Sequence, residues 1–542
     1  MMSHTFKFSV IASAALIAAC GGSSGDPAAP EPGAPPVVGV APPPIVPVTP
    51  PPVVTPPPPV VIPPPPPVVS VAPTTEPALQ AATALLAKAD ALRATAIPAT
   101  GAANFALVDG CFLTNGFSKP FIVADFDSDP MAVPSRQVDI GATRSNIRVL
   151  ADRTIANADG SSRREIDVKW DTTFKDGTKF TALSDAIPTD TIISGSSSGA
   201  KLPDGSNCTT SESKSDWRFY GNRKVINANV QAHNERYDRT VLTTGLPVAP
   251  AVVYSKYIRF NVTDPGNAAK YVTVSGPGIV GGSPLAPITL KMVSVRLLRD
   301  APEFAGKNGN FVDWKDTDPW RVCRTATGAY ATAETADCVA NGATGNNWGS
   351  FNATVPATLD TNFDALGVVA GGEYTVKVYN DDGWKTVNGQ ASSTPIAIYT
   401  AKLANLPFSA VALAGTAGVA TDLFPKVATN SMTPAQIATA IRGKAAFSMD
   451  TTFSPAGSMP DSRLLGWGSF YSFKQGTVDA AQVPSNPASR QFDPSYPLAN
   501  ATSATLVVPA AVAKLGLPTF MQYGFSINNR NGNTLESLYA FQ

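Results

Sequence analysis

Glu373-Tyr374-Thr375-Val376-Lys377-Val378-Tyr379 is the stretch on which the fold class turns. Tyr374, Val376 and Val378 alternate with Thr375 and Lys377. Side chains two apart in a strand share a face, so this strand has one apolar and one polar side. Asp381-Asp382-Gly383 supplies turn residues beyond it, and Thr394-Pro395-Ile396-Ala397-Ile398-Tyr399 reads as the returning strand. The pattern comes back 149 positions later. Tyr523, Phe525, Ile527, Asn529, Asn531 and Gly532 match Tyr374, Val376, Val378, Asn380, Asp382 and Gly383, and Leu535, Tyr539 and Phe541 supply a closing strand. Two hairpins of one design suggest a duplication, although a generic hairpin gives the same matches.

Strand patterns also fill the region before residue 265. Ile166, Val168, Trp170, Thr172 and Phe174 alternate and lead to Asp176-Gly177, a two-residue hairpin signal. Trp217 and Phe219 precede Gly221-Asn222. Ile226, Ala228, Val230 and Ala232 share one face, with Asn227, Asn229, Gln231 and His233 on the other, and Ile258, Phe260 and Val262 mark a further strand. A helix comes first: Thr75 caps it, Pro77 lies in its first turn, and Leu79, Ala82, Leu86, Ala89 and Arg93 form a face broadened by Leu85 and Leu92. The expected fold is therefore mainly β, with an α+β domain over 78–264 and β-sandwiches over 265–403 and 404–542. The last of these includes a short helix, where Thr433-Pro434-Ala435-Gln436 forms a capping box, Ile437 and Ile441 face inward and Gly443 ends it.

The hairpin over 373–399 resembles the last hairpin of a fibronectin type III module, in which a Tyr-x-Val-x-Val strand runs through an exposed loop into a final strand. That resemblance implies an immunoglobulin-like sandwich with recognition loops at its ends. The first domain, a helix against long antiparallel hairpins, resembles the cone-shaped nuclear transport factor 2-like fold.

Composition limits the partners. The chain has 542 residues, 41 Lys+Arg against 41 Asp+Glu, 5 Cys and 2 His. Without a basic excess it does not suit phosphate backbones, so nucleic acid is not an expected partner. Of its 50 prolines, 23 lie in residues 27–77. Pro-rich chain with few amide donors adopts extended polyproline II, and the 47 residues from 27 to 73 reach at most about 145 Å. Before it, Lys7 precedes an apolar run from Phe8 to Ala19, too short to span a bilayer, and Leu16-Ile17-Ala18-Ala19-Cys20-Gly21-Gly22 follows. This resembles the leader and lipobox of Gram-negative lipoproteins. The resemblance implies a signal peptide over 1–19, an acylated Cys20 as first mature residue, a stalk over 20–77 and, with Gly21 after the cysteine, outer-membrane sorting. Several acyl chains on one cysteine would make a stable membrane anchor.

Cys111, Cys208, Cys323 and Cys338 remain, an even number that suits disulfides outside the cytoplasm but permits three connectivities. Cys323 and Cys338, 15 apart, pair most economically, leaving Cys111 for Cys208. A zinc site is the rival, against which stand the missing CxxC spacing and a single histidine, His233, beyond the leader.

Several motifs lead nowhere. Gly276-Pro277-Gly278-Ile279-Val280-Gly281 fits a dinucleotide fingerprint, but Pro284 and Pro287 forbid the helix it needs. Gly195-Ser196-Ser197-Ser198-Gly199 fits a nucleophile elbow without an apolar helix after it, and His233 on a polar strand face reads as solvated. Asp125, Asp127 and Asp129 start like a calcium loop that fails at Pro130 and Arg136. Two candidate binding clusters stand out. Trp384, in a polar loop with Asp381, Asp382 and Lys385, is either tucked onto a sandwich rim or presented to a partner. Asp313, Asp316 and Asp318 between Trp314 and Trp320 combine carboxylates with aromatics, as sugar sites do, although solvated acids beside core tryptophans look the same. No cofactor, metal or catalytic residue is assigned. The expectation is a lipid-anchored envelope protein displaying β-rich domains for binding, adhesion or scaffolding toward a cell-surface glycan or protein. A hydrolase of polysaccharide or ester is the competing class.

Overall fold

The computed structural model describes residues 75–128, 139–175, 179–181, 189–281, 285–304, 316–324, 338–343, 345–385, 394–414, 424, 426–427, 432–443, 445, 447–452, 464–475, 488–495, 503–508, 518–529 and 533–541. Among them the chain is mainly β, with several antiparallel sheets and a few helices. Residues 1–74 lie outside, and with them the leader, Cys20 and the Pro-rich segment.

The first layer pair forms where the sequence placed it. Helix Thr75–Leu92 lies on an antiparallel sheet ordered Thr143–Ala156, Ser162–Thr173, Asp190–Ser196, Ser213–Phe219, with Lys179–Thr181 also paired to Ser162–Thr173. Ala78, Ala82, Leu85, Leu86 and Ala89 are buried against Ile166, Val168, Trp170, Ile192 and Phe219. The helix is rotated slightly from the expected face, because Ala78 faces inward while Leu79 and Leu92 are exposed. Arg93 joins the buried side and donates to Asn104 Oδ1 at 3.1 Å. Across the opposite side of this unit Cys111 bridges Cys208, with Cα atoms 5.4 Å apart, and Arg218 pairs with fully buried Asp109 at 2.8 Å.

The sandwich is built differently from the expected one. One sheet is antiparallel throughout, ordered Arg321–Val322, Leu290–Val293, Tyr271–Ser275, Glu373–Tyr379, Ala397–Lys402. Tyr374, Val376 and Val378 are buried as the alternation requires, and Val376 stands opposite Tyr399. The facing layer is a seven-stranded sheet ordered Asn347–Ala353, Pro247–Thr263, Asn227–Thr240, Asn533–Phe541, Pro518–Asn529, Leu464–Gln475, Ala488–Ser495. Val230, Ile258, Phe260 and Val262 from this sheet share one core with Val272, Leu290, Tyr374 and Val376 from the other.

The seven-stranded sheet takes strands from all three expected domains, so the divisions drawn at 264/265 and 403/404 fall inside it. Local alternation marks which residues face a core, but not which distant strand lies alongside. The repeated hairpin exists, with Tyr523 opposite Tyr539 and Ile527 opposite Leu535, while its turn at 530–532 lies outside the described residues. Its outer strand pairs in parallel with Asn227–Thr240, Thr534 opposite His233 and Glu536 opposite Glu235. Lys426–Val427, Phe447–Thr452 and Ser503–Val508 make a separate three-stranded sheet. The capping box forms: Gln436 N donates to Thr433 Oγ1 at 3.3 Å, and Thr433 N donates to Gln436 Oε1 at 2.8 Å. Ile437 and Ile441 are buried.

The second disulfide, Cys323–Cys338, has Cα atoms 4.7 Å apart and sits in a small core with Tyr271, Val293, Phe304 and Trp384. Both economical pairings are thus present.

Because Asn533–Phe541 lies between two strands, removing residues 533–542 strips a partner from each. Amide exchange in 227–240 should then accelerate, while exchange in helix 75–92 stays slow. Equal acceleration in both segments would show that the strand is not what holds the sheet centre together.

Candidate functional site

Of the two outcomes expected for its loop, Trp384 takes the inward one, and residues 386–393 of that loop lie outside the described residues. Trp384 is 2% exposed and stacks on Phe304 with ring centroids 5.6 Å apart. The turn that carries it is folded inward by its own acids. Tyr271 donates its hydroxyl to Asp381 Oδ1 at 3.0 Å, Gly383 N donates to the same oxygen at 2.7 Å, and Lys270 reaches Asp382 at 2.8 Å. Lys385 lies over the indole at 5.6 Å and binds Glu303 at 3.0 Å. The polar composition of this turn reflects that scaffold; it does not present the tryptophan to a partner.

Of the second expected cluster, only Asp316, Asp318 and Trp320 are among the described residues. Trp320 is buried, and its backbone N–H donates to Val262 O at 2.8 Å. Asp316 accepts from Arg299 at 2.9 Å and from Asn267 at 3.1 Å, so its carboxylate is engaged in structural bonds. Asp318 is half-buried, and Asp313 and Trp314 lie outside the described residues. In the Gly-Ser turn, Ser197 donates its hydroxyl to Glu212 O at 3.2 Å.

The polar cluster with chemical capacity is one the sequence did not assemble. Asn227–Thr240 and Pro247–Thr263 are antiparallel neighbours, with His233 opposite Tyr257, and Asn533–Phe541 flanks the first in parallel. That arrangement places His233, Glu235, Tyr257, Arg259 and Glu536 together. His233 is fully buried, correcting the expected solvated position: the face opposite its apolar neighbours is itself covered. Its imidazole stacks on Tyr257 with centroids 4.6 Å apart, and Nε2 lies 2.9 Å from Glu536 Oε2. Arg259 donates to the Tyr257 hydroxyl at 2.8 Å and comes within 3.8 Å of Glu536. Nδ1 of His233 is buried without a hydrogen-bond partner among the described residues.

Electrostatics follow from burial. Desolvation, then the Arg259 charge, hold the His233 pKa down to about 4 against the opposing pull of Glu536. Glu235, half-buried, is pushed up by desolvation and by the Glu536 charge. Near neutral pH a neutral imidazole therefore bonds a carboxylate through Nε2–H, leaving a lone pair on Nδ1. No hydroxyl or thiol is bonded to this ring among the described residues, so a Ser-His-acid triad is not assembled here. The donor atoms of His233, Glu235 and Glu536 lie within 4.8 Å of one another, a spacing compatible with a shared metal ion. Glu536 stands 303 positions from His233, and no local spacing could have joined them.

No helix among the described residues is long and apolar enough to cross a membrane, which leaves strands untested. No family model matches the chain, and no curated protein matches it. One solved structure, a tetra-tandem repeat in the extending region of a large adhesion protein, aligns over 74% of each chain at 10% identity with a TM-score of 0.12. A superposition that loose carries no argument about fold or function.

Two outcomes test these assignments. Trp384→Ala should cost about 3–5 kcal/mol in denaturant unfolding, as expected for truncating a fully packed indole. A change below about 0.5 kcal/mol would return Trp384 to the surface. By NMR, the His233 ring should hold neutral-form shifts from pH 8 down to pH 5. The folded state then binds fewer protons than the unfolded state between about pH 4 and pH 6.5, so this group withdraws stability as pH falls through that window. A midpoint near 6.5 would contradict the burial.

Proposed function

We propose that this chain is a lipid-anchored cell-envelope protein that displays its β-rich body for binding, adhesion or scaffolding toward a surface glycan or protein. The observation that carries the proposal is the run from Phe8 to Ala19 ending at Cys20, followed at once by 23 prolines in residues 27–77. An apolar leader, a cysteine at its end and a stiff spacer make sense together as anchor and stalk. The disulfides Cys111–Cys208 and Cys323–Cys338 support an oxidising compartment, where such bonds persist. The fibronectin type III-like character of the 373–402 hairpin fits a display module, and the burial of Trp384 removes that side chain from its contact surface. The hydrolase alternative finds less support: Asp316 is engaged in structural bonds, Trp320 is core and His233 has no nucleophile bonded to it among the described residues, while Asp313 lies outside them.

Growing cells with a clickable palmitate analogue should label the wild-type chain, and Cys20→Ser should abolish the label and release the chain in soluble form. An unlabelled mutant that stays in the membrane fraction would overturn the anchor.

A further inference from the structure

We propose that His233, Glu235 and Glu536 bind one divalent transition-metal ion of the zinc class at the centre of the seven-stranded sheet. The inference goes beyond envelope display and does not depend on the lipid anchor.

The three donors come from two adjacent strands in fixed register. Glu235 and Glu536 stand directly opposite one another, and His233 lies two residues before Glu235 on the same face. Their ligand atoms lie within 4.8 Å of one another. Tetrahedral bonds of 2.0–2.2 Å put donors about 3.4 Å apart, so closing on an ion asks for side-chain shifts of roughly 1.4 Å at most. One imidazole nitrogen with two carboxylates suits zinc and its neighbours in the first transition row better than calcium, whose ligands are all oxygen. Three protein ligands also leave a coordination position for a fourth, exogenous donor.

Two further observations point to an ion. His233 has no solvent exposure and its Nε2 faces Glu536 Oε2 at 2.9 Å, so with the proton moved to Nδ1, which has no partner among the described residues, the Nε2 lone pair is directed at the carboxylates. The cluster already accommodates a cation: the Arg259 guanidinium stands 3.5 Å from His233 Nε2 and 3.8 Å from Glu536. Arg259 has a second hold in the Tyr257 hydroxyl at 2.8 Å, so it can yield the carboxylate to an entering ion without losing all of its bonds.

The test uses the full chain with its disulfides intact, treated with chelator and then titrated with Zn²⁺ by calorimetry and with Co²⁺ by visible absorption. One ion per chain is expected, with X-ray absorption showing an oxygen and nitrogen shell that includes one imidazole. Glu235→Gln, at a half-buried position that tolerates an amide, should weaken binding at least about tenfold with an unchanged circular dichroism spectrum, and His233→Gln should do the same or more. Absence of saturable one-to-one binding would overturn the site, as would a bound ion that Glu235→Gln leaves equally tight. Should His233→Gln fail to fold, the imidazole signature in the wild-type shell decides the point: its absence overturns the site and its presence supports it.

Discussion

The structure depends on one strand pairing: Asn533–Phe541 running parallel to Asn227–Thr240. Every other contact in the seven-stranded sheet is antiparallel, and most join segments close in sequence. This single ladder joins the hairpin 227–263 to the strands between 464 and 529 and turns two groups of strands into one layer. Leu535, Ser537, Ala540 and Phe541 are buried within it, as expected of a parallel strand covered on both faces. Val272 and Trp320 show a second consequence, since the smaller sheet and the 316–324 segment dock onto strands that this layer keeps in place.

Polar residues concentrate where the two groups of strands meet. His233, Glu235, Arg259 and Glu536 occupy the seam, and around it Asn234 exchanges two hydrogen bonds with Phe408 while Asn533 donates to Leu406 O at 3.0 Å. Buried polar groups hold a register more strictly than apolar ones, because a slip of one residue would strand their donors and acceptors. The seam is therefore specified by hydrogen bonding as much as by packing.

Much of the fold was legible from local pattern. The alternation through Ile166–Thr172 and Tyr374–Val378, the capping box at Thr433 and the economical pairing of the cysteines are all decided by residues within a few positions, or by a short loop. The composition of the seven-stranded sheet was not legible, because period-two alternation is identical whether a neighbour is 10 or 300 residues away. Trp384 misled for a related reason. Asp, Gly and Lys around an aromatic read as an exposed loop, whereas here Asp381 holds Tyr271 and Gly383 so that the indole folds under them. His233 looked solvated because its strand alternates polar with apolar, a pattern that does not say whether the polar face is covered. Once that face is closed, the same residues become a candidate ligand set.

The late position of the central strand also sets a timetable. A ribosome adding about 5–20 residues per second needs roughly 15–60 s to travel the 303 positions from His233 to Glu536. Throughout that interval the hairpin 227–263 has an unpaired inner edge, the kind of surface that recruits stray strands. Chain emerging from the ribosome thus has good reason to be kept extended by a chaperone until synthesis has passed residue 541.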